Sequence, residues 1–240
     1  SPQSQADAVL VTTPSGTVTG RVTIDPSTNG GQRAEIAIKG VNPGGGAAVA
    51  AGGAAGLGGP RNGGMDIEVR YTLERGTSGF YTTAEYTHKA GYPASGFGEN
   101  RFILQMGKTF DWLSVDEDRN MLMATNEDLG KGVVVHAKEQ RILSSGVYAN
   151  SVEHKYSYNA VMYKLKAWGW SSTKDHIGVY FINPSNEYIG GGSEKVDLVA
   201  HMSATLLDYW TSGHYGGGAG NHIATGEEWK RVVGPIFVYF

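Results

Sequence analysis

Residues 174–222 read KDHIGVYFINPSNEYIGGGSEKVDLVAHMSATLLDYWTSGHYGGGAGNH and hold more polar and aromatic side chains than core packing requires. Glu187, Tyr188, Lys195, His201, Tyr209, Trp210, His214 and Tyr215 fall within thirty residues, interleaved with glycine runs. Glycines around isolated His, Lys and Tyr side chains let a ligand approach the backbone closely. The pattern is that of a ligand site. Two further groups join it. Gly98-Glu99-Asn100-Arg101-Phe102 opens a strand with a charged pair, which alone reads as a surface ion pair of little energetic weight. His154-Lys155-Tyr156-Ser157-Tyr158 sets a lysine among aromatic and hydroxyl groups. On a strand, Lys155, Ser157 and Asn159 would share one face. A lysine is ordinarily a solvated charge, but one walled by tyrosines beside other cations can act as a base.

Other chemistries fit the residues less well. His201, His214 and His222 have the spacing H-x12-H-x7-H, which matches no zinc site, so no metal ligand set is assigned. Asp116, Glu117 and Asp118 form an acidic turn that reads as solvated, with a structural calcium as its alternative. A glycoside hydrolase needs two carboxylates across the scissile bond. Glu187 with Asp197 is the best available pair, but Glu187 is better suited to orienting Lys195 or a loop. His201 lies in a Leu/Val-rich segment and reads as a hydrogen-bonded core histidine.

The elements that must position these groups are strands. The chain has 240 residues, 36 glycines, 13 tyrosines and 5 tryptophans, a composition that suits many short strands joined by tight turns. Its length suits one large domain. A net charge of −3 gives no basic field for nucleic acid and no cationic block for a membrane surface. The absence of cysteine excludes disulfides, thiolate metal sites and a cysteine nucleophile.

Residues 8–39 alternate in short runs and predict edge strands, with turns at Pro14-Ser15-Gly16 and Asn29-Gly30-Gly31. The Gly/Ala-rich stretch 40–64 predicts a loop. In MDIEVRYTLERG, Ile67, Val69, Tyr71 and Leu73 share one face with charges on the other, a half-buried antiparallel strand. Short strand signals recur from there, and 177–182 ends as a strand at Asn183-Pro184. Residues 195–210 are the one place expected to hold a helical turn, at 197–201. The expectation is an all-β protein, a large antiparallel β-sandwich with few short helical turns. Residues 1–64 would supply edge strands and a loop of the same domain, and 65–240 the sandwich core.

Eight ordered strings resemble a known family: RYTLERGTSGFYTTAEY, GENRFILQM, FDWLSVDEDRNMLMAT, EHKYSYN, AWGWSS, IGVYFINPSNEYIGGGSEKVDL, LLDYWTSGHYGG and GEEWKRVVGPIFVY. Over residues 65–240 the chain resembles the rhamnogalacturonan lyases of polysaccharide lyase family 4. The resemblance implies a super-sandwich of the mutarotase-like kind and a β-elimination at galacturonate in the pectin backbone rhamnogalacturonan I. It implies Lys155 as base, His214 of Ser212-Gly213-His214 as acid, and Arg101 as the clamp on the uronate carboxylate. Tyr209 matches one aromatic of the family's pair, while the other position holds Leu207. Tyr188, Glu187, Lys195 and Tyr215 are further substrate-contact candidates.

The chemistry would need no cofactor. A secreted monomer acting on polysaccharide, with no nucleic-acid or membrane partner, follows from the same resemblance. Members of the family carry two further β domains after the catalytic one, so the apolar end at Phe240 suggests a partial protein. A non-catalytic carbohydrate-binding sandwich is the reading from a different class.

Overall fold

The computed structural model describes residues 16–45, 64–97, 99–136, 139–192, 194–212, 214–216 and 221–240. Among the described residues, nine antiparallel strands build the larger sheet. Their spatial order is Thr17–Ile24, Arg33–Val41, Asp66–Glu74, Gly79–His88, Trp229–Tyr239, Ile177–Ile182, Ala167–Ser172, Trp112–Ser114 and Asn120–Leu122. Among the described residues the Thr17–Ile24 strand is an edge, as its short alternating sequence predicts, and the turn before Arg33 is a short 3-10 helix, Pro26–Asn29. A second sheet of Ala200–His201, Thr205–Thr211 and Asn100–Gln105 packs on the larger one. The all-β sandwich expected from the sequence is therefore the observed fold. Residues 1–15 and 46–63, which hold the first expected strand and most of the Gly/Ala-rich stretch, lie outside the described residues.

Alternation explains the packing. In Asp66–Glu74, Val69 faces the core with Ala84 opposite it on the next strand, both almost wholly buried. Across the interface, Leu206 and Trp210 of the second sheet join the same cluster. Trp168 and Trp170 stand on one face of Ala167–Ser172. Their indole N–H groups donate to the carbonyls of Leu207 and Thr205 at 3.1 and 3.2 Å, so each tryptophan fills the core and also ties the two sheets together.

The opposite face of Asp66–Glu74 is not the solvated charged surface that the sequence predicts. Glu35 and Glu68 are buried among their own partners. Arg21 donates two bonds of 2.9 Å to Glu68, and Arg70 bridges Glu68 and Glu35 at 2.6 and 2.9 Å. Thr72 and Thr23 donate to Glu35 at 2.7 and 2.8 Å. Cross-strand neighbours cover the carboxylates as they neutralise them, which single-strand alternation does not reveal.

A second correction concerns residues 195–210. They form the strands Val196–Leu198, Ala200–His201 and Thr205–Thr211, with no helical turn at 197–201. Val196, Val199, Thr205, Tyr209 and Thr211 are strand formers, and the run alternates between two buried faces. Leu206 and Trp210 point to the sheet interface, whereas Leu207 and Tyr209 pack with Leu198 on the other side. Because both faces are apolar, the stretch looks continuously hydrophobic and can be misread as a helix. The α-helix among the described residues is Asn126–Lys131. A capping box between Thr125 and Asp128 starts it, and a Glu127–Lys131 pair of 2.6 Å supports it.

Candidate active site

The outer face of the second sheet carries the first part of the site. Arg101 and Tyr209 are directly opposite on adjacent antiparallel strands, so their side chains share a face. The Arg101 guanidinium donates to the Tyr209 hydroxyl and sits 5.2 Å from the ring centroid. Glu99, half exposed, approaches Arg101 to 3.1 Å. Burial raises the pKa of the Tyr209 hydroxyl well above the ordinary phenol range, so it stays protonated.

His214 completes this wall, edge-on to the Tyr209 ring with centroids 5.2 Å apart. Its Nδ1 is 3.0 Å from Oδ1 of Asp197, and its Nε2 is 3.5 Å from Oε1 of Glu99. Asp197 is wholly buried at the centre of Val196–Leu198. Ser212 donates to its Oδ2 at 2.5 Å, Leu198 N–H to its Oδ1 at 2.8 Å, and the Lys195 ammonium lies 3.2 Å from Oδ2. Burial works to raise the Asp197 pKa. The bonds from His214 and Ser212, the Lys195 charge and the Leu198 N–H overcome it and hold the carboxyl below the usual aspartate range. Lys195 also donates to the His214 carbonyl at 3.2 Å, so its charge is turned inward.

Lys155 approaches from another side. The structure places it at the start of a 3-10 turn, Lys155–Ser157, and not on the expected strand, so Lys155, Ser157 and Asn159 share no sheet face. The backbone carbonyls that a strand would offer to a neighbour are taken locally. Arg119, bound to Asp116, donates to the carbonyls of Ser157 and Asn159, and Asn159 donates to the Tyr156 carbonyl at 2.6 Å. The Lys155 ammonium is 2.8 Å from Glu139 and 5.5 Å from the Tyr156 ring centroid. Tyr156 in turn lies 6.0 Å from His214 and 5.7 Å from Tyr215, whose hydroxyl donates to the Tyr156 carbonyl at 3.1 Å. Tyr156 therefore touches both the Lys155 and the His214 neighbourhoods. Tyr215 holds a left-handed backbone (φ 54°), uncommon for a tyrosine.

A cavity of about 380 Å³ beside Lys155 is lined by Glu139, Arg141, His201 and Ser203. His201 is half-buried, and its Nε2 has no hydrogen-bond partner among the described residues, unlike the satisfied core histidine that the sequence suggests. Burial first, then the charges of Lys155 and Arg101, push its pKa down to about 4. Above about pH 4 it is a neutral imidazole, with Lys155 lining the same cavity. Another cavity, about 1030 Å³, is lined largely by apolar and aromatic residues such as Phe80, Phe110 and Phe240 and shares no residue with this cluster.

The resemblance assigned Lys155, Arg101, Tyr209, His214 and Tyr215 to one site, and in the structure they lie near one another. The remaining candidates do not face that wall. Tyr188 is buried between the sheets, its hydroxyl donating to Asp208 at 2.7 Å and accepting from Asn183 at 2.6 Å. Glu187 is exposed on the preceding turn whereas Asp197 is wholly buried, so the two do not form a pair of carboxylates lining one groove. Lys195 is buried under His214 and presents no ammonium to a ligand. His222 is exposed on Asn221–Ile223, which pairs with Ser95–Phe97. Among the described residues, no group of three or more His, Asp or Glu side chains converges as a metal site, and Asp116 of the acidic turn is held by Arg119.

The supporting roles of Asp197, Glu139 and Arg119 were missed. For Asp197 a signal existed, since a carboxylate inside the apolar run Val196 to Ala200 needs buried partners.

A family model described as the rhamnogalacturonate lyase family matches residues 61–145, a stretch that contains Arg101 and ends before Lys155 and His214. The chain is also 25% identical over 182 residues to a rhamnogalacturonate lyase of Dickeya dadantii (strain 3937). That alignment covers 75% of this chain and 29% of the relative, so the chain spans under a third of that protein's length. Over these stretches the chain, a β-sandwich, is similar to the rhamnogalacturonate lyases.

Proposed function

We propose that this domain is a polysaccharide lyase that cleaves rhamnogalacturonan I by β-elimination at galacturonate. The observation that supports it most is the arrangement around Tyr156: Lys155 lies over its ring and His214 against its edge, with Arg101 behind Tyr209. A general base, a general acid and a cation for a carboxylate thus border one aromatic wall.

In this reading the uronate carboxylate displaces Glu99 at Arg101. That exchange is cheap, because Glu99 is half exposed and a surface ion pair is worth roughly 0–1 kcal/mol. Lys155, released from Glu139 and neutral, takes the proton from C5. The C5–H electron pair forms the C4–C5 double bond, and the C4–O4 bond breaks. His214 gives its Nε2 proton to the departing O4. Charge that builds on the carboxylate as C5 loses its proton is met by a fixed guanidinium, the kind of electrostatic help that dominates such steps. The scheme runs on side chains without a cofactor, and a cell-wall polysaccharide as substrate makes the enzyme extracellular.

A second reading draws on the two closed ion pairs, Lys155–Glu139 and Arg101–Glu99. A groove that kept them closed would bind sugar without turning it over. Incubation with rhamnogalacturonan I separates the two. A lyase releases reducing ends together with the ultraviolet absorbance of an unsaturated uronate. A hydrolase releases reducing ends alone, and a binding module releases neither.

A further inference from the structure

Resting on His214 as the acid, we propose that Asp197 is its positioning residue. It fixes the imidazole with a proton on Nδ1, so that Nε2 is the atom that exchanges a proton with the substrate. Both Asp197 oxygens are engaged: Oδ2 by Ser212 and Lys195, Oδ1 by Leu198 N–H and His214 Nδ1. An ionised carboxylate only accepts, so Nδ1 must donate. In the neutral ring Nε2 then carries the lone pair, and in the imidazolium it carries the transferable proton. Nε2 faces the half-exposed Glu99 at 3.5 Å, beyond a good hydrogen bond, and the rings of Tyr209, Tyr156 and Tyr215 surround the imidazole.

Lys195 acquires a role here as well. Its ammonium compensates the buried carboxylate and bonds the His214 carbonyl, so one cation holds both the anion and the segment that carries the histidine. It is part of the support of the acid and not a contact for the sugar.

Asp197→Asn tests the assignment because an amide cannot serve all the donors that the carboxylate serves. Neither the Lys195 ammonium nor the Leu198 N–H can accept; with the amide oxygen kept on the charged Lys195 and Ser212, its NH2 faces His214 and leaves the Leu198 N–H without an acceptor. A donor at that point fits the neutral ring only with the proton on Nε2, and it excludes the imidazolium. Turnover should fall by about 10²–10⁴ with KM little changed, as expected when an acid–base histidine is held in the wrong tautomer.

The direct readout is nitrogen-15 NMR of the imidazole above its titration range, with the His214 signal assigned by its loss in His214→Gln. Wild type should show Nδ1–H and Asp197→Asn should show Nε2–H. Should Asp197→Asn fail to fold, the wild-type tautomer decides the matter alone. Ser212→Ala, which keeps the Lys195–Asp197 pair, should retain Nδ1–H and lose less turnover. Nε2–H in the wild type, or an Asp197→Asn protein with an unchanged tautomer and near-normal turnover, overturns the proposal. A wild type that releases no unsaturated uronate sinks the lyase reading, while the tautomers still decide the role of Asp197.

Discussion

Asp197 and Asp208 are both wholly buried, and their pKa values move in opposite directions. Asp197, on the outer side of the second sheet, has Ser212, His214, Lys195 and Leu198 N–H as partners and stays ionised. Asp208 lies between the sheets. Only its Oδ2 is met, by the Tyr188 hydroxyl at 2.7 Å, and its Oδ1 has no partner among the described residues. Burial, and then the nearby Asp197 charge, pushes the Asp208 pKa up to about 7. Burial sets the cost of a charge, and the donors around it decide whether the charge survives. One face of the sheet thus holds a fixed anion beneath a histidine. The other holds a carboxyl that keeps its proton only below about pH 7, packed where no ligand reaches it.

That division predicts that substitutions on the outer face change turnover and those between the sheets change stability. The largest effects should come from Lys155→Met and His214→Ala, each lowering kcat by about 10²–10⁴. Both side chains are mostly enclosed, at 19% and 13% exposure, so each variant should lose some melting temperature yet stay folded. A large loss of stability with either would move that residue to the structural side of the comparison.

Arg101→Gln should follow, with a loss of roughly 10²–10³ on the free galacturonate polymer. Its effect on the methyl ester should be smaller, because a neutral ester needs no cation. Equal losses on both substrates would show that Arg101 does not bind the carboxylate.

Arg119→Ala removes two bonds to the carbonyls of Ser157 and Asn159 beside the Lys155 turn without substituting Lys155 itself. A misplacement near 1 Å can cost about 10²-fold, so a fall of roughly ten- to a hundredfold in kcat is expected. Unchanged kinetics would mean that the turn holds Lys155 without Arg119.

The smallest effect tests the other face. A folded pKa above the ordinary aspartate value means that the stability from Asp208 is present below about pH 4 and is lost as pH rises through about 7. His201 slopes the other way: its folded pKa of about 4 gives stability present above about 6.5 and lost as pH falls toward 4. Asp208→Asn should remove the first slope alone, so urea denaturation should show the variant gaining on the wild type from pH 4 to pH 8. Its kcat should stay near wild type. A variant that loses ground with rising pH would contradict the assignment of Asp208 as a proton-holding core group.

How much of this was legible in the sequence depends on how local the signal is. The sandwich was legible because alternation and turn residues are local, as in Asp66–Glu74 and in the stop after Ile182. The Lys155, His214 and Arg101 cluster was legible only by resemblance, since no spacing in the chain says that three segments meet. Tyr188 and Lys195 misled because an isolated polar group amid glycines looks the same whether it faces solvent or supports a neighbour. Their burial depends on strands far away in sequence, Thr205–Thr211 above all. The strand form of 205–211 was hidden for the same reason, both of its faces being covered.

The central claim is that this outer face performs an elimination. Ultraviolet absorbance of the unsaturated uronate, followed on rhamnogalacturonan I for the wild type and Lys155→Met side by side, tests it most directly. The account predicts steady growth of absorbance for the wild type and almost none for the variant, with oligosaccharide binding retained by both. Equal rates in the two proteins, or reducing ends that appear without absorbance, would contradict it.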